Sequence, residues 1–181
     1  MLTLKIKDTD FFDEKTETFK TIKGATIRLE HSLVSISKWE AKYKKPFLSR
    51  EPMTVEETID YIRFMTITQN VDPLIYTAIT NEQIAEINRY IDDPMTATTI
   101  RKPEGKGGGV GKIVTSEEIY YQMIVYQIPI EFEKRHFNRL LMLIRVFDEK
   151  NKPKKKMRKG DIARRNRSLN AARRARLGTK G

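Results

Sequence analysis

The stretch whose residue types come closest to a known chemistry is Gly108-Gly-Val-Gly-Lys112. A glycine-rich loop ending in lysine cradles phosphates when a Ser or Thr follows the lysine to hold Mg²⁺, and when a buried strand precedes the loop. Here Ile113 follows, Lys106 stands where the first glycine of the motif belongs, and Arg101-Lys-Pro-Glu precedes. The reading is therefore a glycine- and charge-rich loop over 101–112, not a nucleotide site. The two histidines, His31 and His136, fall short of the three or four ligands of a metal site, and nothing in the sequence places them together. The acidic pairs Glu56-Glu57, Asp92-Asp93 and Glu117-Glu118 each fall at an expected helix end, where carboxylates cap or terminate helices. There is no Gly-x-Ser-x-Gly elbow. The absence of cysteine removes disulfides, thiolate ligands and thiol nucleophiles. No catalysis, metal or cofactor is expected.

Charge is the stronger signal. Residues 150–181 hold fourteen Lys and Arg against the single acid Asp161, whereas positions 1–149 carry 21 basic and 23 acidic residues. The net charge of +11 thus describes a tail appended to a nearly neutral body. The expected division is 1–149 as the folded body and 150–181 as a basic linker and tail helix. A hydrophobic content of 39%, with aromatic residues throughout the body, is enough to build a core. The start, MLTLKIKDTD, lacks the apolar run of a signal peptide, and Leu140–Phe147 is far too short to span a bilayer. A soluble, intracellular protein is expected.

The elements that must position these residues follow from periodicity and punctuation. Leu2, Leu4 and Ile6 alternate with polar residues as in a half-buried strand. A charged turn over Asp8–Thr16 then leads to short strands at Phe19–Ile22 and Thr26–Glu30, giving a small N-terminal antiparallel element within about residues 1–30. Ser32 reads as an N-cap before Leu33, Ile36, Trp39 and Tyr43, with Pro46 as the stop. Thr54-Val-Glu-Glu57, Thr80-Asn-Glu-Gln83 and Thr115-Ser-Glu-Glu118 each have the form of a capping box, a hydroxyl and a carboxylate or amide exchanging bonds with the first turn. Met95–Ile100 suits a short strand. Glu131–Lys150 carries the longest helical pattern, and a last helix is expected over Asp161–Leu177, closed by Gly178. Trp39 reads as half core and half rim, and Tyr120, Tyr121 and Tyr126 as packing residues before any base-stacking role. The fold class is α+β: a mainly helical body, a small N-terminal β element and a basic helical tail.

The candidate partner-binding residues are the cations of that tail: Lys154, Lys155, Lys156, Arg158, Lys159, Arg164, Arg165, Arg167, Arg173, Arg174 and Arg176. Residues 150–160 show no apolar period and read as a connector. Beyond it a thin apolar stripe of Ile162, Leu169, Ala172 and Leu177 runs among the arginines. Nucleic acid and acidic protein surfaces both suit this charge. An anionic membrane suits the charge as well, but no membrane partner is expected, since the apolar stripe carries no large aromatic residue.

Three blocks of the sequence resemble a known family. Leu33–Leu48 (LVSISKWEAKYKKPFL), Phe132–Ile144 (FEKRHFNRLLMLI) and the ending Asn170–Gly181 (NAARRARLGTKG) together look like the tail assembly chaperones of long-tailed bacteriophages. The resemblance implies a non-enzymatic protein of the infected bacterial cytoplasm that keeps the helical tape measure protein soluble and helps tail tube subunits polymerise around it. It further implies absence from the finished virion and, in some members, a frameshift-extended form. It supplies no binding residues. Two alternatives stay open: a nucleic-acid-binding protein using the basic tail, and a structural virion component of the head or connector.

Overall fold

Alternation in the first residues sets the pairing of the sheet that enters the core. The computed structural model describes residues 1–13, 17–49, 51–100, 114–152 and 159–179. Strand β1 (Leu2–Lys5) pairs antiparallel with β4 (Thr26–Leu29), Leu4 facing Ile27 and Leu2 facing Leu29. Leu4, Ile27 and Leu29 are buried, whereas Thr3, Lys5, Thr26 and Arg28 are exposed, as the period of two requires. Between them β2 (Thr9–Asp13) and β3 (Thr18–Ile22) form a separate hairpin. The stretch expected as a charged turn therefore contains a strand. Its aromatic residues and threonines favour the pleat despite the acids: Phe12 and Phe19 pair across the strands at 5.2 Å, and Thr21 donates to Asp10 at 2.6 Å. Gly24 is required where the two sheets meet, because a Cβ there would lie 2.3 Å from the carbonyl oxygen of Ile6.

Helices supply the rest of the body: α1 (Leu33–Tyr43), α2 (Val55–Met65), α3 (Asn81–Asp92), α4 (Ser116–Val125) and α5 (Phe137–Asn151), with 3-10 turns at Pro73–Ala78 and Ile130–Lys134. The α+β class, mainly helical with a small antiparallel element, is the observed one. Helix α1 packs against α2, α4 and the second 3-10 turn, while α3 packs against β1. Ile36, Ile62, Met65, Ile87, Met123, Phe137 and Leu140 fill the centre. Trp39, expected to be half core and half rim, is 3% exposed; its Nε1 donates to the Glu57 carbonyl at 3.0 Å, and Phe47 meets it edge-on.

Three of the four caps read from the sequence form as expected. Ser32, Thr54 and Thr80 each accept a bond from the residue three positions on, and that residue's side chain returns one. Thr115 makes no such bond. The start of α4 is held instead by Glu40, whose Oε2 accepts from Ser116 N–H at 2.8 Å while its Oε1 accepts from Phe47 N–H at 2.8 Å. This buried carboxylate bridges three segments and sits at the positive end of α4. Buried carboxylates elsewhere are likewise engaged. Glu57 takes Lys45 and the Thr54 amide, both at 2.8 Å, and Asp60 takes Lys42, Tyr43 and Arg63.

Two further expectations are corrected. Met95–Ile100 is not a strand: the segment has no β partner, Met95 is left-handed at φ 49°, and local bonds such as Thr98 N–H to Thr96 Oγ1 replace a ladder. The helical pattern over 131–150 is broken at Arg135, which is extended. Phe137 N–H donates to the His31 carbonyl at 2.7 Å and His136 bridges to Ser32, so tertiary pairing takes the backbone groups that a continuous helix would use. The loop over 101–112 lies outside the described residues. Among the described residues no helix is long and apolar enough to cross a membrane.

Glu40→Ala leaves the buried Ser116 amide and the part-buried Phe47 amide without an acceptor, and a buried loss of this kind costs about 1–3 kcal/mol. Urea unfolding followed by the fluorescence of Trp39, the single tryptophan, is expected to show a loss of about 2–4 kcal/mol. A loss below about 1 kcal/mol would mean the bridge contributes little.

Candidate binding surfaces

The chain separates into two units, Met1–Asp148 and Glu149–Gly181. In the second unit α6 (Lys159–Leu177) contains Lys159, Arg164, Arg165, Arg167, Arg173, Arg174 and Arg176; the other candidates, Lys154, Lys155, Lys156 and Arg158, lie outside the described residues. Alanine, leucine and arginine are strong helix formers, so local propensity favours this helix. Asp161 in its first turn and Arg174 and Arg176 in its last complement the helix dipole. Gly178, at φ 65°, takes the left-handed closing position, and Thr179 N–H returns to the Arg174 carbonyl at 3.3 Å.

No residue of α6 is buried. The thin apolar stripe expected from the sequence is interrupted, because at 3.6 residues per turn Arg173 and Arg176 project within about 40° of Ile162. Cations therefore surround the helix instead of forming one polar side. Such a helix has no face to bury and presents guanidinium groups in every direction, each able to fork onto a carboxylate or a phosphate.

The body has an apolar surface of its own. Tyr121, Ile124 and Val125 follow one another at helical spacing along the outward side of α4, and Ile130 stands exposed just beyond its end. Ile124 is 75% exposed and Tyr121 68%. Ile119 and Met123 of the same helix are buried, so α4 is apolar on both sides. Of the other two tyrosines considered as platforms, Tyr120 is half-buried and donates to Glu133 at 2.9 Å, while Tyr126 stacks on Phe147 at 5.4 Å. Both are packing residues.

The two histidines, which nothing in the sequence places together, meet in the core with ring centroids 5.2 Å apart. His31 shares a 2.5 Å hydrogen bond with the Tyr61 hydroxyl, and His136 Nε2 donates to the Tyr90 carbonyl at 3.0 Å. The link is the bridge between Ser32 and His136, a pairing that local sequence signals do not carry. Burial, and then the neighbouring His136, push His31 down from the ordinary histidine value to about 3. Among the described residues no group of three or more His, Asp or Glu side chains is placed to hold a metal ion.

A histidine held neutral in the fold but protonated when unfolded adds stability that is complete above pH 6.5 and lost as pH falls toward about 3. The expected slope is up to about 1.4 kcal/mol per pH unit in that window, flattened by His31→Asn. Because α6 buries nothing, replacing Arg164, Arg167 and Arg173 with alanine is expected to shift body unfolding, read at Trp39, by less than about 0.5 kcal/mol. No family model, curated protein or solved structure matches this chain.

Proposed function

We propose that this chain is a non-enzymatic binding protein, a tail assembly chaperone of a long-tailed bacteriophage, acting in the cytoplasm of the infected cell. Its partners on this reading are the tape measure protein and the tail tube subunits. The observation that carries the binding role is α6, a helix of 19 residues with cations on every side and no buried residue. The three sequence blocks that resemble the chaperones direct that role to tail assembly. The exposed apolar row of α4 supports it further, since a long amphipathic partner offers apolar and acidic stretches together. Two weak contacts on one chain raise the local concentration of each for its target without making the complex permanent. Reversibility of this kind suits a chaperone that must release the tape measure protein as tube subunits arrive.

A second reading is favoured by one feature: cations arranged all round a helix suit phosphates as well as carboxylates. A nucleic-acid role predicts tight retention on DNA with a steep salt dependence, the logarithm of affinity falling by about 0.9 per phosphate contact for each tenfold rise in salt. A structural virion role predicts the protein in purified particles.

Co-expression with the tape measure product is expected to raise that product's soluble fraction several-fold. Replacing Arg164, Arg167, Arg173, Arg174 and Arg176 with glutamine is expected to remove most of the gain. Unchanged solubility of the tape measure product beside the wild-type chain would overturn the chaperone reading. Retention on DNA with a log–log salt slope steeper than about −4 would favour the nucleic-acid one.

A further inference from the structure

The body contains a cleft of about 580 Å³ whose lining includes Ile67, Met95, Lys134, Arg135, His136 and Arg139. Two features of its lining bear on what it could hold. The first is uncompensated charge. Lys42, Lys45 and Arg63 are all paired with buried acids, yet among the described residues Lys134, Arg135 and Arg139 are in no ion pair. Two acids also line the cleft. Glu30 is already engaged by the Tyr90 hydroxyl at 2.6 Å and by the Met1 amino group at 3.3 Å, leaving Glu131 against three cations.

The second feature is the apolar part of the lining, Ile67 and Met95, the latter held in the left-handed conformation by its N–H bond to Asp93 at 2.7 Å.

We infer that this cleft binds an acidic, partly apolar peptide segment. Both features have their counterpart in such a ligand: side-chain carboxylates for Arg135, Arg139 and Lys134, and an aliphatic side chain for Ile67 and Met95. A bare phosphate answers only the charge and leaves the apolar lining empty. The lining belongs to the first unit, Met1–Asp148, and the assignment stands whether or not the partner is a tape measure protein.

The test uses the full chain, ¹⁵N- and methyl-labelled, titrated with the blocked peptide acetyl-Glu-Leu-Glu-Leu-amide. Since α6 also attracts acidic peptides, the readouts are the Ile67 and Met95 methyl groups and the His136 ring nitrogens. Saturable shifts are expected at all three. They are expected to persist when the α6 arginines are replaced by glutamine, and to need at least tenfold more peptide in the Arg135→Gln/Arg139→Gln double variant. Both of those arginines are exposed, and unchanged Trp39 fluorescence verifies that the variant is folded. Shifts confined to 159–177, shifts indifferent to the double substitution, or equal shifts with acetyl-Gln-Leu-Gln-Leu-amide or inorganic phosphate would overturn the assignment. None of these outcomes bears on the co-expression result, so the cleft and the chaperone role fail separately.

Discussion

Charge neutralisation divides this chain more sharply than any loop does. Within the body, buried carboxylates are matched: Glu40 by two backbone amides, Glu57 by Lys45 and a helix-start amide, and Asp60 by two cations and a tyrosine hydroxyl. These bonds let acids enter a core of isoleucine, leucine and aromatic side chains without the large cost of burying an unpaired charge. Helix α6 has the opposite constitution. It sets seven cations against Asp161 in 19 residues and buries none of them. Like charges one turn apart each oppose the helix by a few tenths of a kcal/mol, and an isolated helix of this length is marginal in water. Good propensity and a well-formed end hold it near balance, and an anionic partner would tip it toward order.

The parts of this architecture that could be read in advance are those written over short spans. Ser32, Thr54 and Thr80 were legible as caps because a cap is a bond between residues three apart. Thr115 has the same local signature and fails, because the acceptor that serves α4 is Glu40, far away in the chain. The same reason accounts for the break at Arg135. Apolar period alone runs smoothly through 131–150, while the pairing of Ser32 with His136 is long-range and interrupts it. Strand β2 was hidden by its acids, since Asp10 becomes acceptable only once Thr21 lies opposite to bond it.

The candidate site divides in the same way. Summed charge is a property of a segment, so the tail cations could be named without a fold. Their arrangement on all sides of α6 needed only helical spacing, yet the apolar residues among them drew attention to a stripe that Arg173 and Arg176 interrupt. The cleft was not legible. Lys134, Arg135 and Arg139 lie within six positions of the chain, but Ile67 and Met95 join them only through the β4–α2 contact and the turn after α3.

A body that is self-sufficient and a helix that is not make one physical claim: the order of α6 depends on something other than this chain. Hydrogen exchange of the isolated full-length protein tests it most directly. Backbone amides of the core, such as those of Ile27, Met65 and Leu140, are expected to exchange only through global unfolding. Amides of 163–177 are expected to exchange within about tenfold of the unprotected rate and to slow markedly once an acidic partner is added. Protection of α6 equal to that of the core, in the absence of any partner, would contradict the account.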